Sequence, residues 1–270
     1  MTLLLIIAKL PRSSYFYHLK HFSDQQKYQQ EREEIRKICE ENDGLYGYRR
    51  VTYELRNRGY NLNHKLVMKL MKQEKLTCKI RAKKYRSYRG SVGKVAPNLL
   101  NRQFKAESPN VKWATDITEF KVHGQKFYLS PIMDLYNYEI ISYSLSRSPN
   151  FSQIITMLKD AFQKIPDNTQ LILHSDQGWQ YQMKQYRGML QDKGIHQSMS
   201  RKGNCYDNSV IENFFGILKS EFFYNHTFDS IEQFSNSLVK YIEYYNHRRI
   251  KVKLNGLSPV QFRTQSIIST

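Results

Sequence analysis

Apolar residues recur with changing period along this chain, and each change of period marks a change of structure. From Gln26 to Asn42 charged positions surround Ile35 and Ile38, the pattern of a helix with one buried side. Val51 and Leu55 fit a second, short helix that should stop at Gly59. Asn63 is placed to cap a third, in which Leu66, Val67, Leu70 and Met71 stand at helical spacing. Two short helices about a glycine-containing turn suit a helix-turn-helix, a pattern that many helical hairpins share. From Lys112 the period shortens. Trp113–Val122 is rich in β-formers, His123-Gly124-Gln125 reads as a tight turn, and Phe127–Leu135 completes a hairpin. Ile140–Leu145 offers a third strand, and Phe151–Ile165 a helix that Pro166 ends. Leu171–Leu173 is a short apolar strand running into His174-Ser175-Asp176, and Gln182–Lys193 returns to helix with Gly194 as its stop. Ile195–Met199 reads as an edge strand. Asn208–Phe223 is a helix whose stripe of Ile211, Phe214, Phe215, Leu218 and Phe222 faces a core, and Tyr241, Tyr244 and Tyr245 read as packing.

Three sequential strands followed by helix, strand and helix predict an α/β fold, a ribonuclease-H-like mixed sheet flanked by helices. An all-α helix-turn-helix region precedes it. The expected organisation is an N-terminal helical region (1–43), a helix-turn-helix-like region (44–76), a basic linker (77–110), the ribonuclease-H-like core (111–228) and a C-terminal helical extension (229–270). A length of 270 residues suits about two domains at roughly 150 residues each.

Charge sharpens the picture. The chain carries 42 Lys+Arg against 24 Asp+Glu, a net charge of +18, which calls for a polyanionic partner, either nucleic acid or an anionic membrane surface. Residues 1–110 hold 24 basic and 10 acidic side chains, so the surplus sits mainly there. The stretch 75–94 contains Lys83, Lys84 and Arg86 among its cations and no acid, with Tyr85 and Tyr88 between them. An extended basic strap of this kind can neutralise phosphates without folding first. Arg49, Arg50, Lys65 and Lys69, with Arg56, Arg58 and Lys72, surround the helix-turn-helix pattern and are candidate DNA contacts.

Other classes fall away. The longest apolar run, Leu3–Ala8, is far short of the ~20 residues that span a bilayer, and it reads as one side of an N-terminal helix. Cys39, Cys78 and Cys205 form no metal or disulfide framework, so reduced thiols and a cytoplasmic protein are expected. No glycine-rich nucleotide loop is present. Tyrosine recombination needs an activating His-x-x-Arg, which none of the eight histidines supplies.

Three carboxylates stand out: Asp116 within the first strand, Asp176 just past the apolar strand, and Glu212 one turn into the Asn208–Phe223 helix. If the first and fourth strands are neighbours, the aspartates converge and the helix supplies the glutamate from the side. Such oxygen ligands suit Mg²⁺ or Mn²⁺, and two ions ~3.5–4 Å apart could clamp both oxygens of a phosphoryl displacement. Each also has a plain structural reading: a solvated strand position, an Asp-Gln-Gly turn, and the far half of a Ser209–Glu212 capping box. The 35 residues between Asp176 and Glu212 do not decide between these by themselves. Asp134 and His174 read as structural or supporting groups, and Asp207 and Asn208 as caps of the glutamate-bearing helix.

The strings Trp113-Ala-Thr-Asp-Ile-Thr118, His174-Ser-Asp-Gln-Gly-Trp-Gln-Tyr181 and Gly203-Asn-Cys-Tyr-Asp-Asn-Ser-Val-Ile-Glu-Asn-Phe-Phe-Gly216 resemble the catalytic core of DDE transposases. The resemblance is nearest to the second-frame product of bacterial insertion sequences encoded in two overlapping frames, relatives of retroviral integrases. Tyr46-Gly-Tyr-Arg-Arg50 with Leu70-Met71, Asn246-His-Arg-Arg249 and Leu257-Ser-Pro259 extend it to about 240 residues. The resemblance implies that Asp116, Asp176 and Glu212 are a catalytic, metal-binding triad for two Mg²⁺ or Mn²⁺ ions. It further implies cleavage of a phosphodiester at the element's end and joining of the freed 3′-OH to target DNA. Lys219, seven residues after Glu212, falls on the same helix side and matches a basic position of the family. Implied partners are double-stranded DNA (element ends and target), further copies of the chain on DNA, and a first-frame protein or frameshift fusion, in a cytoplasmic, nucleoid-associated setting without a membrane. A ribonuclease-H-like nuclease without strand joining and a non-catalytic DNA-binding relic or repressor are the alternatives.

Overall fold

A computed structural model describes residues 11–17, 28–78 and 95–268. The apolar run Leu3–Ala8, the expected start of the first helix at Gln26, and Lys83, Lys84 and Arg86 lie outside the described residues. The chain divides into two compact units, Met1–Ile80 and Arg81–Thr270.

In the first unit three helices, α1 (Gln29–Glu41), α2 (Tyr48–Asn57) and α3 (His64–Gln73), bury Ile35, Ile38, Val51, Leu55, Val67, Leu70 and Met71. The apolar spacing read from the sequence is the spacing of this core. Asn63 caps α3 as expected, its side chain accepting from the Lys65 amide at 2.9 Å. Beyond α2 the chain turns through Gly59 at φ +88°, a conformation that a side chain would strain. Arg58 departs from expectation. It is an ion-pair hub for Glu34 (2.7 Å), Glu41 (2.5 Å) and Glu54 (3.1 Å), so part of the cationic surplus is consumed internally. Arg32 and Arg36 likewise tie α1 to Glu74 beyond α3.

The second unit is built on a six-stranded mixed sheet: β1 (Lys112–Thr115), β2 (Thr118–Val122), β3 (Gln125–Asp134), β4 (Ile140–Ser146), β5 (Ile172–Ser175) and β6 (His196–Met199). β3 is the long member. It pairs antiparallel with β4 on one edge and with both β1 and β2 on the other. β1 then runs parallel to β5, and β5 parallel to β6, whose outer edge is met by a hydrogen bond from the Met199 amide to the Pro97 carbonyl.

The stretch Trp113–Val122 is thus two strands, where the sequence suggested one. The registers Thr115↔Ile132 and Thr118↔Leu129 are continuous, which sets Asp116 opposite Pro131. A proline has no N–H to give the ladder, so pairing lapses there. Asp116 therefore sits just past β1, with its own carboxylate accepting the Ile117 amide at 2.7 Å.

Alternation along the strands fills two cores, one on each face. Trp113, Ile132 and Leu173 face α4 (Phe151–Phe162) and α5 (Lys184–Asp192), with Ile154, Met157, Leu158 and Leu190. Ala114, Phe120, Leu129 and Met133 face α6 (Ser209–Leu218) and α7 (Ile231–His247), with Ile211, Phe214, Leu218, Phe234 and Tyr245. α4 stops at Phe162, three residues before the expected Ile165, because the chain unwinds ahead of Pro166. The helix expected at 182–193 divides into a 3-10 turn (Trp179–Gln182) and α5, since Met183 between them is extended. β5 begins and ends later than the apolar run suggested, at Ile172 and Ser175. Gly194 closes α5 as expected, at φ +73°; a Cβ there would lie 2.5 Å from the Asn168 Cα.

Polar side chains fasten the C-terminal helices, α7 and α8 (Pro259–Ile268). Asn246 imitates a strand, accepting from the Ile140 amide and donating to its carbonyl, both at 2.9 Å. The buried Arg249 forks onto Glu221 with two contacts of 2.6 Å, and the Tyr241 hydroxyl donates to the same carboxylate. Glu139 holds Arg263 of α8. Among the described residues no helix is long and apolar enough to cross a membrane.

Candidate active site

The parallel pairing of β1 with β5 sets Ala114 beside His174. Asp116 and Asp176 each lie two residues further on. With a strand period of two, both emerge on the face that α6 covers, at the carboxyl ends of adjacent strands. Glu212 lies in the first turn of α6. The helix start is anchored to the same strand end, Asn208 donating through Nδ2 to the Thr115 carbonyl at 3.3 Å. All three carboxylates are partly buried.

Their proton affinities are linked. Burial raises the Asp116 pKa well above the ordinary range, and the charges of Asp176 and Glu212 add to this; the Ile117 amide and the Lys219 ammonium pull the other way. Burial raises Asp176 against the pull of the Gly178 amide, which donates to its Oδ1 at 2.8 Å. Glu212 is raised by burial and then by the charge of Asp176. All three acids are destabilised in their charged form by removal from water, and Asp116 and Glu212 also by a neighbouring acid. Gly178 leaves room here: a Cβ would stand 2.6 Å from Gln180 Nε2 and 2.9 Å from Asp176 Oδ1, so either side chain would have to move.

Among the described residues no three His, Cys, Asp or Glu side chains are gathered closely enough to hold a metal ion. The carboxylates are neighbours that have not closed on a shared point. Their chemistry nevertheless fits a hard divalent cation: the donors are all oxygen, partly buried, and under a mutual repulsion that a cation would relieve.

Lys219 follows α6 directly. The expected helix Asn208–Phe223 is instead α6 followed by a π-helical turn, Lys219–Phe223, a local unwinding that is frequent at functional sites. The Lys219 ammonium lies 5.4 Å from the Phe120 ring centroid, on the carboxylate face of the sheet.

Asp207 and Asn208 do not cap α6 as the sequence suggested, and the helix start has no side-chain cap. Asn208 turns to β1. The Asp207 side chain is fully buried and accepts from Asn98, Arg102 and Arg201. Arg102 is 105 residues from Asp207 along the chain, so no local pattern could have signalled the pairing. His174 is fully buried between Ser198 Oγ (2.8 Å) and Ser200 Oγ (3.2 Å), and burial lowers its pKa to about 4. Asp134 is a structural acid that accepts the Asn110 and Tyr136 amides, with its pKa pushed up by burial to about 6.

In the first unit Arg49, Lys65 and Lys69 are exposed. Arg50 is half-buried, donates to the Leu45 carbonyl at 3.3 Å and lies over the Tyr46 ring.

Residues 106–205 and 212–267 each match the integrase core domain family, and 26–84 match a helix-turn-helix-like domain. Over 263 residues the chain is 52% identical to transposase InsK for insertion sequence element IS150 of Escherichia coli, covering 97% of this chain and 93% of that protein. The chain belongs to the insertion-sequence transposases. A transposase-like protein of Haemophilus influenzae is 54% identical over 217 residues, 80% of this chain and all of the relative. The transposase also overlays on the HTLV-2 integrase catalytic core, solved with magnesium, at 16% identity and a TM-score of 0.47, over 58% of this chain and 98% of that one. By its integrase core domain and its 52% identical relative, the transposase is a polynucleotidyl transferase of the DDE type.

Proposed function

We propose that Asp116, Asp176 and Glu212 are the carboxylates of this transposase that act on DNA, cutting at the element's ends and joining the freed 3′-OH to target DNA. One observation carries the reading: two aspartates stand at matched positions of adjacent parallel strands beside a glutamate from the covering helix, close enough that Asp176 and Glu212 raise the proton affinity of Asp116 and Asp176 raises that of Glu212. The three would hold two Mg²⁺ or Mn²⁺ ions with DNA bound, and those ions would supply Lewis-acid activation of the attacking oxygen and charge neutralisation of the leaving one.

The remaining work falls to the chain itself. The Ile117 and Gly178 amides fix one oxygen each of Asp116 and Asp176, and the second oxygen of each would be the ligand atom. α6 is packed on the sheet by Ile211, Phe214 and Leu218, so Glu212 is carried on a rigid element. Lys219, on the same face, is a phosphate contact. One phosphodiester is exchanged for another, so no nucleotide energy source is needed.

DNA is gripped upstream of the core. Arg49, Arg50, Lys65 and Lys69 of the helix-turn-helix-like unit and Lys83, Lys84 and Arg86 of the linker supply the cations. Two ends must be brought together, which calls for more than one copy of the chain. A first-frame companion, and a cytoplasmic, nucleoid-associated setting, follow from the same reading.

The test is a cleavage and strand-transfer assay on the element's own DNA ends with Asp116→Asn, Asp176→Asn and Glu212→Gln. Each change is expected to lower both steps by on the order of 10²–10³ or more while leaving DNA binding. Unchanged turnover in any of the three would remove that residue from the reaction, and cutting without joining would mark a nuclease instead.

A further inference from the structure

Asp207 collects more cation than its own charge requires. Its Oδ2 accepts from the Arg201 amide (3.0 Å), Arg201 Nε (2.9 Å) and Asn98 Nδ2 (3.0 Å), while Oδ1 accepts from Arg201 Nη2 (3.1 Å) and Arg102 Nε (2.9 Å). The carboxylate is fully buried, yet the two guanidinium side chains are about half exposed, at 49% for Arg102 and 52% for Arg201. One arginine would satisfy the acid. The second leaves a net positive surface that is held in place, and the exposed Lys202 adds to it. Arg102 gives Nε to the ion pair, and Asp207 takes no hydrogen bond from its two terminal amino groups.

Local backbone geometry supports a functional reading. Asn101 and Arg102 both adopt positive φ, 43° and 65°, in a turn fastened by the Asn101 amide donating to Asn98 Oδ1 at 2.8 Å. Left-handed conformations at two successive non-glycine residues persist only where the surroundings impose them. The result carries the Arg102 guanidinium to within 5.8 Å of the Tyr206 ring, and Tyr206 is 69% exposed. An exposed aromatic ring beside two fixed guanidiniums is the combination that stacks a base while holding its phosphate. The position is close to the carboxylates: Asn208, next in sequence to Asp207, donates to the Thr115 carbonyl one residue before Asp116, and Glu212 is one turn further along α6.

We propose that Arg102, Arg201 and Tyr206, organised by Asp207, form a binding site for a DNA strand with unpaired nucleotides beside the carboxylates. The guanidiniums take backbone phosphate, and the tyrosine ring takes an unstacked base. The proposal rests on the DNA-cutting function above and names the part of the substrate that this surface holds. Its consequence is a preference for element ends with a single-stranded extension over blunt ends.

The test uses the full chain carrying Glu212→Gln, so that DNA is bound without being consumed, and reads anisotropy with a fluorescent element-end duplex, blunt or with a short single-stranded extension. Failure of the catalytic reading would show in the cleavage assay and leave this binding readout intact. Tyr206→Ala is expected to weaken binding to the extended duplex about tenfold, within the range for loss of one stacked base, and to leave the blunt duplex unchanged. Arg102→Gln and Arg201→Gln are each expected to lower the slope of log affinity against log salt by roughly one phosphate contact. Thermal melting identifies any variant that has lost its fold, and Tyr206→Ala, at a surface position, keeps the test open in that event. Binding equal to the parent in all three variants would overturn the proposal. An arginine effect without a tyrosine effect would overturn the stacked base and leave only a duplex phosphate contact.

Discussion

Two groups of acids lie close together around the start of α6, and their surroundings treat them in opposite ways. Asp207 is surrounded by donors, and its pKa is held well below the ordinary carboxylate range, with Arg201 the largest cause. Asp116, Asp176 and Glu212 are surrounded by burial and by one another, and theirs are all raised. A carboxylate whose purpose is structural is given its counter-ion within the protein. Under the proposed function the three raised acids receive a cation from outside, and being left short of charge balance costs stability until it arrives. The same contrast holds further off, where the Arg249 fork onto Glu221 completes a buried ion pair between the segment after α7 and the turn after α6.

The completed pairs should therefore be the ones whose loss unfolds the protein. Glu221→Ala strands Arg249, which is 1% exposed, in the core, and is expected to cost about 3–5 kcal/mol in chemical denaturation. A cost under about 1 kcal/mol would show that the pair contributes little. His174 comes next, because it is buried neutral. Its folded pKa of about 4 lies below the 6.5 of the unfolded chain, so the unfolded state takes up the proton first. Its stabilising share is present above pH 6.5 and is lost as pH falls toward 4, about 3 kcal/mol in all. The difference in urea unfolding between wild type and His174→Gln across that window should show the loss, since Asp134, raised to about 6, and the raised Asp116, Asp176 and Glu212 act in the opposite sense in both proteins. Asp207→Asn should cost less, about 1–3 kcal/mol, since its arginine partners are half in water. The smallest effect carries the opposite sign. Asp116→Asn removes a repelling charge and should raise the melting temperature by a few degrees, roughly 1 kcal/mol, while abolishing activity. A lower melting temperature would mean that Asp116 is a structural acid like Asp207.

Much of this contrast was legible in the residues, and the remainder was hidden for definite reasons. Helix periodicity located α2 and α3 with the Asn63 cap, and alternation located the hairpin, because both signals lie within a few residues of the elements they specify. The convergence of Asp116 and Asp176 needed only the first strand and the apolar strand to be neighbours, as β1 and β5 are. The interruption at Asp116 was not visible, because its cause is Pro131 on the partner strand. The π turn at Lys219 was not visible either, since the apolar stripe runs through it unbroken to Phe222. Asp207 read as a cap because caps are local, whereas besides the nearby Arg201 its partners come from Asn98 and Arg102 across the unit.

The central claim is that the three raised carboxylates are an unbalanced site awaiting divalent cation, and proton release tests it most directly. Calorimetric titration of the transposase with Mn²⁺ in mildly acidic solution, in two buffers of different ionisation enthalpy, measures both binding and protons expelled. The expected result is binding with net proton release that is lost in Asp116→Asn and in Asp176→Asn and retained in Asp207→Asn. Mn²⁺ binding of equal strength and proton count in the wild type and in both triad aspartate variants would contradict the account.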